Sequence, residues 1–210
     1  MKPHRLHAPL MLKGESMKVA FIGKMGSGKS TAAQYLVDRY GFVRLAFADP
    51  VKIVTTQMLN QFQAYLHVYG ISTVDPYRPW TLADLDARKN DPIIRKMIQF
   101  VGTELGREYF GHENVWIDLL TRDAESLDKV VVDDVRFQNE AQALLDNGFT
   151  LVRIVGNTNP VPLASNHISE TDLDTFEETH YTILNQSSKE YLEQCLDTLV
   201  QSISQENTRS

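Results

Sequence analysis

The chain has 210 residues, of which 42% are hydrophobic and 23% are charged, a balance typical of one globular domain with a buried core. Its net charge of −6 argues against a nucleic-acid polymer as a partner, because counterion release from a phosphate backbone requires a basic surface. The single cysteine, Cys195, cannot form an internal disulfide, which favours a reducing, cytoplasmic setting.

The N-terminal segment carries only a short apolar run, residues 8–12, and lacks the longer apolar region of a secretory signal. Since Met17 stands just before the first predicted strand, residues 1–16 are expected to be a disordered extension. No stretch reaches the roughly 18 consecutive apolar residues of a membrane span, so no membrane partner is expected.

A glycine-rich loop, residues 23–30, follows the apolar run 19–22 and has the form G-x-x-x-x-G-K-S. The glycines let backbone N–H groups turn inward to hold phosphate oxygens, and Lys29 reaches the terminal phosphates. The hydroxyl of Ser30 is placed to bind Mg²⁺, and the following helix adds its positive N-terminal end. The predicted residues of this nucleoside triphosphate site are Gly23, Lys24, Gly26, Ser27, Gly28, Lys29, Ser30 and Thr31.

Helical periodicity follows the loop and ends at Gly41, where a C-cap belongs. Residues 42–47 predict a buried second strand, and a long amphipathic helix runs from Pro50 to Gly70. Residues 71–92 are rich in proline and predict a loop with one short helix, after which helical periodicity resumes.

The second half of the chain alternates strands and helices again. A run of valines, residues 130–132, predicts a strand buried on both faces, and further strands are predicted at 150–155 and 181–184 before a C-terminal helix. Such alternation predicts an α/β fold with three layers around a parallel sheet of about five strands.

The predicted domain organisation is a single domain over residues 17–205. Its core would comprise residues 17–50 and 128–205, interrupted by a helical insertion at about 51–127 that is too long for one crossover helix. A short lid is expected at about 156–175.

Acidic residues follow the strands near the loop. Ligands of such sheets lie beyond the carboxyl ends of the strands, and Asp133 there is the expected partner of Mg²⁺, in preference to Asp134. A solvated strand end is the alternative interpretation. Arg136 can grip a second phosphate with two hydrogen bonds, and Arg107, on the insertion, can approach from the other side.

Several blocks of the sequence, in collinear order over about residues 17–200, resemble deoxynucleoside monophosphate kinases of the bacteriophage type. Besides the glycine-rich loop, these blocks are residues 47–52, 99–104 with Arg107, 115–117, 133–140, 167–170 and 182–185. The loop is common to all P-loop proteins, whereas the other blocks are more specific.

The resemblance implies transfer of the γ-phosphoryl group of ATP to the 5′-phosphate of a deoxynucleotide. It implies the P-loop nucleoside monophosphate kinase fold, in which the helical insertion binds the acceptor. Lys29, Arg136 and Asp133 are the implied catalytic residues, and Ser30 and Asp133 the implied metal ligands. The implied substrate-binding residues are Asp49, Lys52, Glu104, Arg107, Trp116, Arg136 and Glu140.

The sequence departs from the kinase pattern in the lid. Residues 154–189 contain no arginine, although such kinases commonly bring lid arginines to the transferring group. The lid contribution stays open between His167, Arg153 and the arginines of the insertion, which are Arg78, Arg88 and Arg95.

Three other functions compete with this interpretation. A dephospho-coenzyme A kinase shares the loop and the final strand. A GTPase-type switch needs an N-K-x-D element, and residues 156–159 read G-N-T-N instead. An adaptor that binds ATP without turnover would require Lys29 or Asp133 to be dispensable. The sequence does not fix the acceptor base, and it leaves a homodimer open.

Overall fold

The computed structural model describes residues 16–71, 78–88, 91–109, 111–156 and 172–209. The chain divides into two compact units: unit 1 comprises Met1–Ala46 and Thr121–Ser210, and unit 2 comprises Phe47–Leu120. The predicted N-terminal extension, apart from residue 16, and the predicted lid between residues 157 and 171 lie outside the described residues.

In the described part of the chain, unit 1 contains a five-stranded parallel sheet in the order β2-β3-β1-β4-β5. The strands are β1 (Met17–Ile22), β2 (Val43–Leu45), β3 (Lys129–Val132), β4 (Thr150–Gly156) and β5 (Tyr181–Asn185). The predicted parallel α/β sheet is therefore confirmed.

The helices, in chain order, are α1 (Lys29–Tyr40), α2 (Ala48–Val68), α3 (Leu82–Ala87), α4 (Pro92–Phe100), a π-helix (Val101–Tyr109), α5 (Val115–Glu125), α6 (Gln138–Asp146), a 3₁₀ turn (Asp172–Thr175) and α7 (Lys189–Arg209). Helix α1 ends at Gly41, whose φ of 72° lies in the left-handed region that glycine adopts without steric cost. None of the helices in the described ranges has the length and apolar character needed to cross a bilayer.

The core of unit 1 lies between the sheet and helices α1 and α7. Phe21 of β1, Leu36 of α1 and Leu196 of α7 are fully buried in one cluster. The prediction of a buried second strand is wrong for β2, where Val43 and Arg44 are exposed. Strand β2 lies at the edge of the sheet, so its residues have a neighbouring strand on one side only.

Unit 2 is helical and has a small core of its own. Val51 of α2, Val101 of the π-helix and Trp116 of α5 form its buried cluster. The N-terminus of α4 is capped by Asp91, whose carboxylate accepts hydrogen bonds from the N–H groups of Ile93 and Ile94.

Helical structure resumes after residue 92 as predicted, but it changes from α-helix to π-helix at Val101. The indole N–H of Trp116 donates to the carbonyl of Gly102 at 2.8 Å, so a main-chain acceptor of the helix is bound by a side chain. A Cβ at Gly106 would overlap the Trp116 ring, so glycine is required where the ring packs against the helix backbone. Such insertion of a side chain distorts a regular helix, and π-helical turns are frequent at functional sites.

Candidate active site

The glycine-rich loop connects β1 to α1 in a conformation that only glycine adopts readily. Gly23, Gly26 and Gly28 have φ values of 143°, 79° and 105°. A side chain at Gly23 would also collide with the carbonyl oxygen of Ile154 in β4. The glycines of the motif therefore serve the backbone path as well as the approach of a ligand.

Two neighbouring strand ends support the loop. A Cβ at Gly156, the last residue of β4, would lie 2.7 Å from the Cα atom of Ser27. The Nδ2 group of Asn185, the last residue of β5, donates to the Ser27 carbonyl at 2.9 Å. Neither role follows from the loop motif; the signal in the sequence is a glycine and an asparagine that end two apolar strands.

Ser27 itself is almost fully buried, with 1% of its surface exposed. Its hydroxyl oxygen makes no hydrogen bond to any of the described residues. Since buried polar atoms are normally hydrogen-bonded, this hydroxyl is available to a ligand or a water molecule at the loop.

Lys29 begins α1, and its ammonium group lies over the loop. It donates to the carbonyls of Gly23 at 2.6 Å and Lys24 at 2.9 Å. Ser30 and Thr31 are exposed on the first turn of α1, where backbone N–H groups lack intrahelical acceptors. The positive charge of Lys29 and the start of the helix thus favour an anion at the same end of the loop.

Asp133 is a buried carboxylate at the end of β3. It follows Val132, which pairs with Ala20 in β1, three residues before Gly23. Its Oδ1 atom accepts a hydrogen bond from Nε of Arg44 at 2.8 Å, while Oδ2 is buried and bonds to none of the described residues. A carboxylate oxygen in this position fits a hard cation or its bound water.

Arg44 was not predicted as a site residue. It lies on β2, its side chain is 40% exposed, and it forms the ion pair with Asp133. The signal that could have indicated it is a charged residue within an apolar strand, since strand residues point alternately to the two faces.

Arg136 follows β3 in a loop that a buried glutamate holds in place. Oε2 of Glu140 accepts the backbone N–H groups of Arg136 at 2.9 Å and Phe137 at 3.2 Å. Glu140 is only 3% exposed, and these two bonds cap α6 and fix the loop. Its predicted contact with the substrate stays a prediction. The side chain of Arg136 is exposed.

The residues of unit 2 that were predicted to bind the acceptor lie on α2, the π-helix and α5. Asp49 lies in the first turn of α2, and Nζ of Lys52 pairs with Oδ1 of Asp86 in α3 at 2.8 Å. Glu104 is exposed and Arg107 half-buried on the π-helix.

Trp116, which was predicted to bind substrate, lies in the core of unit 2 with 6% of its surface exposed. Its indole N–H is satisfied by Gly102. Trp116 supports the π-helix that carries Glu104 and Arg107, and its predicted contact with the substrate stays a prediction.

The candidates for the lid contribution have different surroundings. His167 lies outside the described residues. The guanidinium group of Arg153 donates to the main-chain carbonyls of Leu173 and Phe176. Arg88 lies over the ring of Trp80, with its guanidinium carbon 4.9 Å from the ring centroid. The side chain of Arg153 is therefore hydrogen-bonded to the main chain of unit 1.

A parallel sheet with a phosphate loop after its first strand and an aspartate after the adjacent strand is the arrangement of P-loop nucleotide-binding proteins. A family model described as deoxynucleotide monophosphate kinase matches residues 81–196. The chain is 30% identical over 203 residues to a putative deoxynucleotide monophosphate kinase of Acanthamoeba polyphaga mimivirus, covering 90% of this chain and 98% of that protein.

It is also 26% identical over 221 residues to the deoxynucleoside-5′-monophosphate kinase of Escherichia phage T5, covering 79% of this chain and 88% of that protein. The chain therefore belongs to the deoxynucleotide monophosphate kinase family. It is an ATP-dependent kinase that phosphorylates a deoxynucleoside monophosphate to the diphosphate.

Two solved structures are more distant. A gluconokinase from Sinorhizobium meliloti 1021 gives a TM-score of 0.41 at 14% identity, covering 89% of this chain and 95% of its own. TT1252 from Thermus thermophilus gives 0.41 at 17% identity, covering 90% and 98%.

Proposed function

We propose that unit 1 binds ATP with Mg²⁺ at the glycine-rich loop, and that Arg136 and residues of unit 2 bind the deoxynucleoside monophosphate. The observation that carries this proposal is the set of three loop glycines with positive φ beneath the ammonium group of Lys29. This arrangement provides inward-facing N–H groups and a fixed cation, which is what a triphosphate requires.

On the donor side, Gly23 to Thr31 hold the phosphates of ATP. The carbonyls of Gly23 and Lys24 keep the Lys29 ammonium group at the loop before the nucleotide arrives. Binding then requires little reorganisation, because the positive charge is already in place.

Ser30 and Asp133 are the proposed ligands of Mg²⁺. The exposed position of Ser30 and the buried Oδ2 of Asp133, which bonds to none of the described residues, support this assignment. Arg44 holds the other oxygen of Asp133 and so fixes the orientation of the carboxylate. When bound, Mg²⁺ would neutralise charge on the transferring phosphates.

On the acceptor side, Arg136 and Arg107 bind the 5′-phosphate, since a guanidinium group can donate two parallel hydrogen bonds to phosphate oxygens. Asp49, Lys52 and Glu104 line the sugar and base pocket. Glu140 positions Arg136 by capping α6. Trp116 contributes indirectly, by supporting the π-helix that carries Glu104 and Arg107.

In the reaction, an oxygen of the acceptor phosphate forms a bond to the γ-phosphorus while the bond from that phosphorus to the β-phosphate oxygen breaks. ADP and a deoxynucleoside diphosphate result. Lys29 and Arg136 counter the charge that spreads over the transferring group. No covalent enzyme intermediate is required, because positioning and charge stabilisation provide most of the catalysis of phosphoryl transfer.

The test is ADP formation from ATP with each deoxynucleoside monophosphate, each matching ribonucleotide and dephospho-coenzyme A as acceptor. We expect turnover with at least one deoxynucleotide, and a ratio of kcat/KM values that favours it over its ribonucleotide. Turnover with dephospho-coenzyme A alone would overturn the proposal and support the competing kinase interpretation.

A further inference from the structure

A short segment of unit 1, residues 172–176, contacts three other elements of that unit. It consists of the 3₁₀ turn Asp172–Thr175 and Phe176, and we call it the strap. Its contacts reach the glycine-rich loop, the start of α6 and strand β4. None of these contacts is a property of the phosphate-loop motif.

The first contact is an ion pair to the loop. The ammonium group of Lys24 lies 2.5 Å from the carboxylate oxygens of Asp174. Both side chains are about half exposed, so the pair contributes little to global stability. Lys24 is nevertheless part of the proposed phosphate site, so the strap forms an ion pair with a residue that we assign to the nucleotide phosphates.

The second contact caps α6. Oδ2 of Asp172 accepts the backbone N–H of Gln138, the first residue of α6, at 2.7 Å. The side-chain amide of Gln138 donates back to the Asp172 carbonyl at 2.8 Å and to the Thr175 hydroxyl at 3.1 Å. An N–H at this position has no acceptor within its own helix, so the strap supplies one from 34 residues away.

Asp172 and Glu140 therefore act on consecutive backbone groups. Glu140 accepts the N–H groups of Arg136 and Phe137, and Asp172 accepts that of Gln138. The backbone from Arg136 to Gln138 is held by these two carboxylates. We expect loss of either one to loosen the start of the helix and the loop that carries Arg136.

The third contact anchors the strap to the sheet. The Arg153 guanidinium group donates to the carbonyls of Leu173, at 3.3 Å, and Phe176, at 2.5 Å. The side chains of Leu173 and Phe176 are both buried. The strap is thus fixed to β4 and presents its two aspartates to different parts of the site.

We propose that the strap is a positioning element that couples ATP binding at the loop to acceptor binding at Arg136. Asp172 positions Arg136 through the cap of α6, and Asp174 ties the strap to Lys24. This inference rests on the proposed function, since it assigns Lys24 to the donor phosphates and Arg136 to the acceptor phosphate.

The test for Asp172 compares D172A with D172N. Alanine removes the acceptor of the Gln138 N–H, whereas asparagine keeps an oxygen at the same position. We expect D172A to raise the acceptor KM about fivefold or more, since losing an N-cap costs about 1 kcal/mol of local stability. The Kd of ATP should change less than twofold, D172N should restore most of the acceptor KM, and the Gln138 amide should exchange hydrogen faster in D172A. An unchanged acceptor KM in D172A overturns this role.

The test for Asp174 measures coupling directly. The Kd of the deoxynucleotide is determined with and without a non-hydrolysable ATP analogue; we expect a change of about fivefold or more in the wild-type protein. In D174N this factor should fall towards one, and in D128N, an exposed aspartate just before β3, it should stay at the wild-type value. Equal coupling in D174N and wild type, or none in the wild type, overturns the inference.

Two controls separate the possible failures. If D172A does not fold, Q138A removes the side-chain bonds from α6 to the strap and should shift the acceptor KM in the same direction. If the wild-type protein forms no ADP with any deoxynucleotide, the proposed function fails; if it turns over and the variants behave like wild type, only the strap inference fails.

Discussion

Unit 1 and unit 2 are stabilised to different degrees by burial. Unit 1 has a continuous core between a parallel sheet and two helices, in which Phe21, Leu36 and Leu196 are fully buried. The core cluster around Trp116 in unit 2 is much smaller, and large apolar side chains of α2 remain exposed, with Phe62 at 63%. The proposed ATP site therefore rests on the more strongly buried unit.

This difference has a consequence for the two substrates. Regions with few buried apolar contacts open locally at lower free energy than the core of a sheet. We expect unit 2 to open before unit 1, and acceptor binding to be more sensitive than ATP binding to changes in packing. The following predictions test this contrast, from the largest expected effect to the smallest.

Removing the charge of Lys29 should have the largest effect on activity. K29A should lower kcat by about 10³-fold or more, because the ammonium group serves the transferring phosphates. The melting temperature should change little, since Lys29 donates to carbonyls of the glycine-rich loop and not to groups of the buried core. The control is K189A, which removes an exposed lysine at the start of α7. Retained turnover in K29A would contradict the mechanism.

Truncating a core side chain of unit 2 should impair acceptor binding while ATP binding stays nearly unchanged. W116A should cost about 3–5 kcal/mol of local stability, raise the acceptor KM and leave the Kd of ATP nearly unchanged. Hydrogen exchange should accelerate in α2 and the π-helix but not in β1 or β4. The matched change in unit 1, F21A, should destabilise the whole sheet and abolish ATP binding. Equal loss of ATP binding in both variants would remove the contrast.

Substitution of Arg136 tests whether the ATP site and the acceptor site depend on different residues of unit 1. R136A should raise the acceptor KM or lower kcat by about 10–100-fold, as expected when one charged hydrogen-bonding group at a phosphate is lost. ATP affinity should remain within twofold of wild type, as measured by calorimetry. If ATP affinity fell while acceptor kinetics stayed constant, the assignment of the two sites would be reversed.

Substitution of Arg44 tests whether its hydrogen bond fixes the orientation of the Asp133 carboxylate. R44Q removes the charge beside a buried carboxylate, and a hydrogen bond to a charged group contributes about 1.5–3 kcal/mol. The partial exposure of Arg44 places the expected loss of stability at the lower end of that range. The Mg²⁺ concentration for half-maximal activity should rise, and R44K should recover part of it. An unchanged unfolding free energy in R44Q would argue against the ion pair in solution.

Alkaline pH should weaken unit 1 through a cluster of tyrosines. Burial, together with a hydrogen bond to Asp197, raises the pKa of Tyr40 to about 12, and the pKa of Tyr35 is raised in the same way. Because the unfolded chain loses these protons near pH 10 and the folded chain retains them, the stabilisation is present below about pH 10 and is lost as the pH rises to about 12.

Y40F measures this contribution. It should lower the free energy of unfolding by about 1 kcal/mol at pH 7 and flatten the fall in stability between pH 10 and 12. Urea unfolding at each pH provides the measurement. Y65F, which changes an exposed tyrosine of α2, is the control and should leave the slope as it is in the wild type. An equal slope in Y40F would show that the cluster does not govern alkaline stability.

Much of the fold could be predicted because its signals are local. The apolar run before Gly23, the valines before Asp133 and the glycine after α1 each specify a strand or a helix end within a few residues. Alternation of these elements was enough to predict a parallel sheet. The edge position of β2 does not follow from such local signals, since strand order depends on which strands pair and Arg44 is the one charged residue in the strand.

The site shows the same division. The glycine-rich loop, Lys29 and Ser30 form a contiguous motif whose chemistry is contained in eight residues, so the sequence alone indicates a nucleoside triphosphate. Family resemblance, also a property of the sequence, indicates the deoxynucleotide acceptor. Both conclusions depend on residue type and spacing along the chain.

Only the tertiary structure brought together residues that are distant in sequence. Arg44 meets Asp133 across two strands, Asn185 holds the Ser27 carbonyl, and Asp172 caps a helix that begins 34 residues earlier. It also placed Trp116 in the core of unit 2. Such contacts depend on strand order and packing, because a side chain carries no information about which distant group will come within hydrogen-bonding distance.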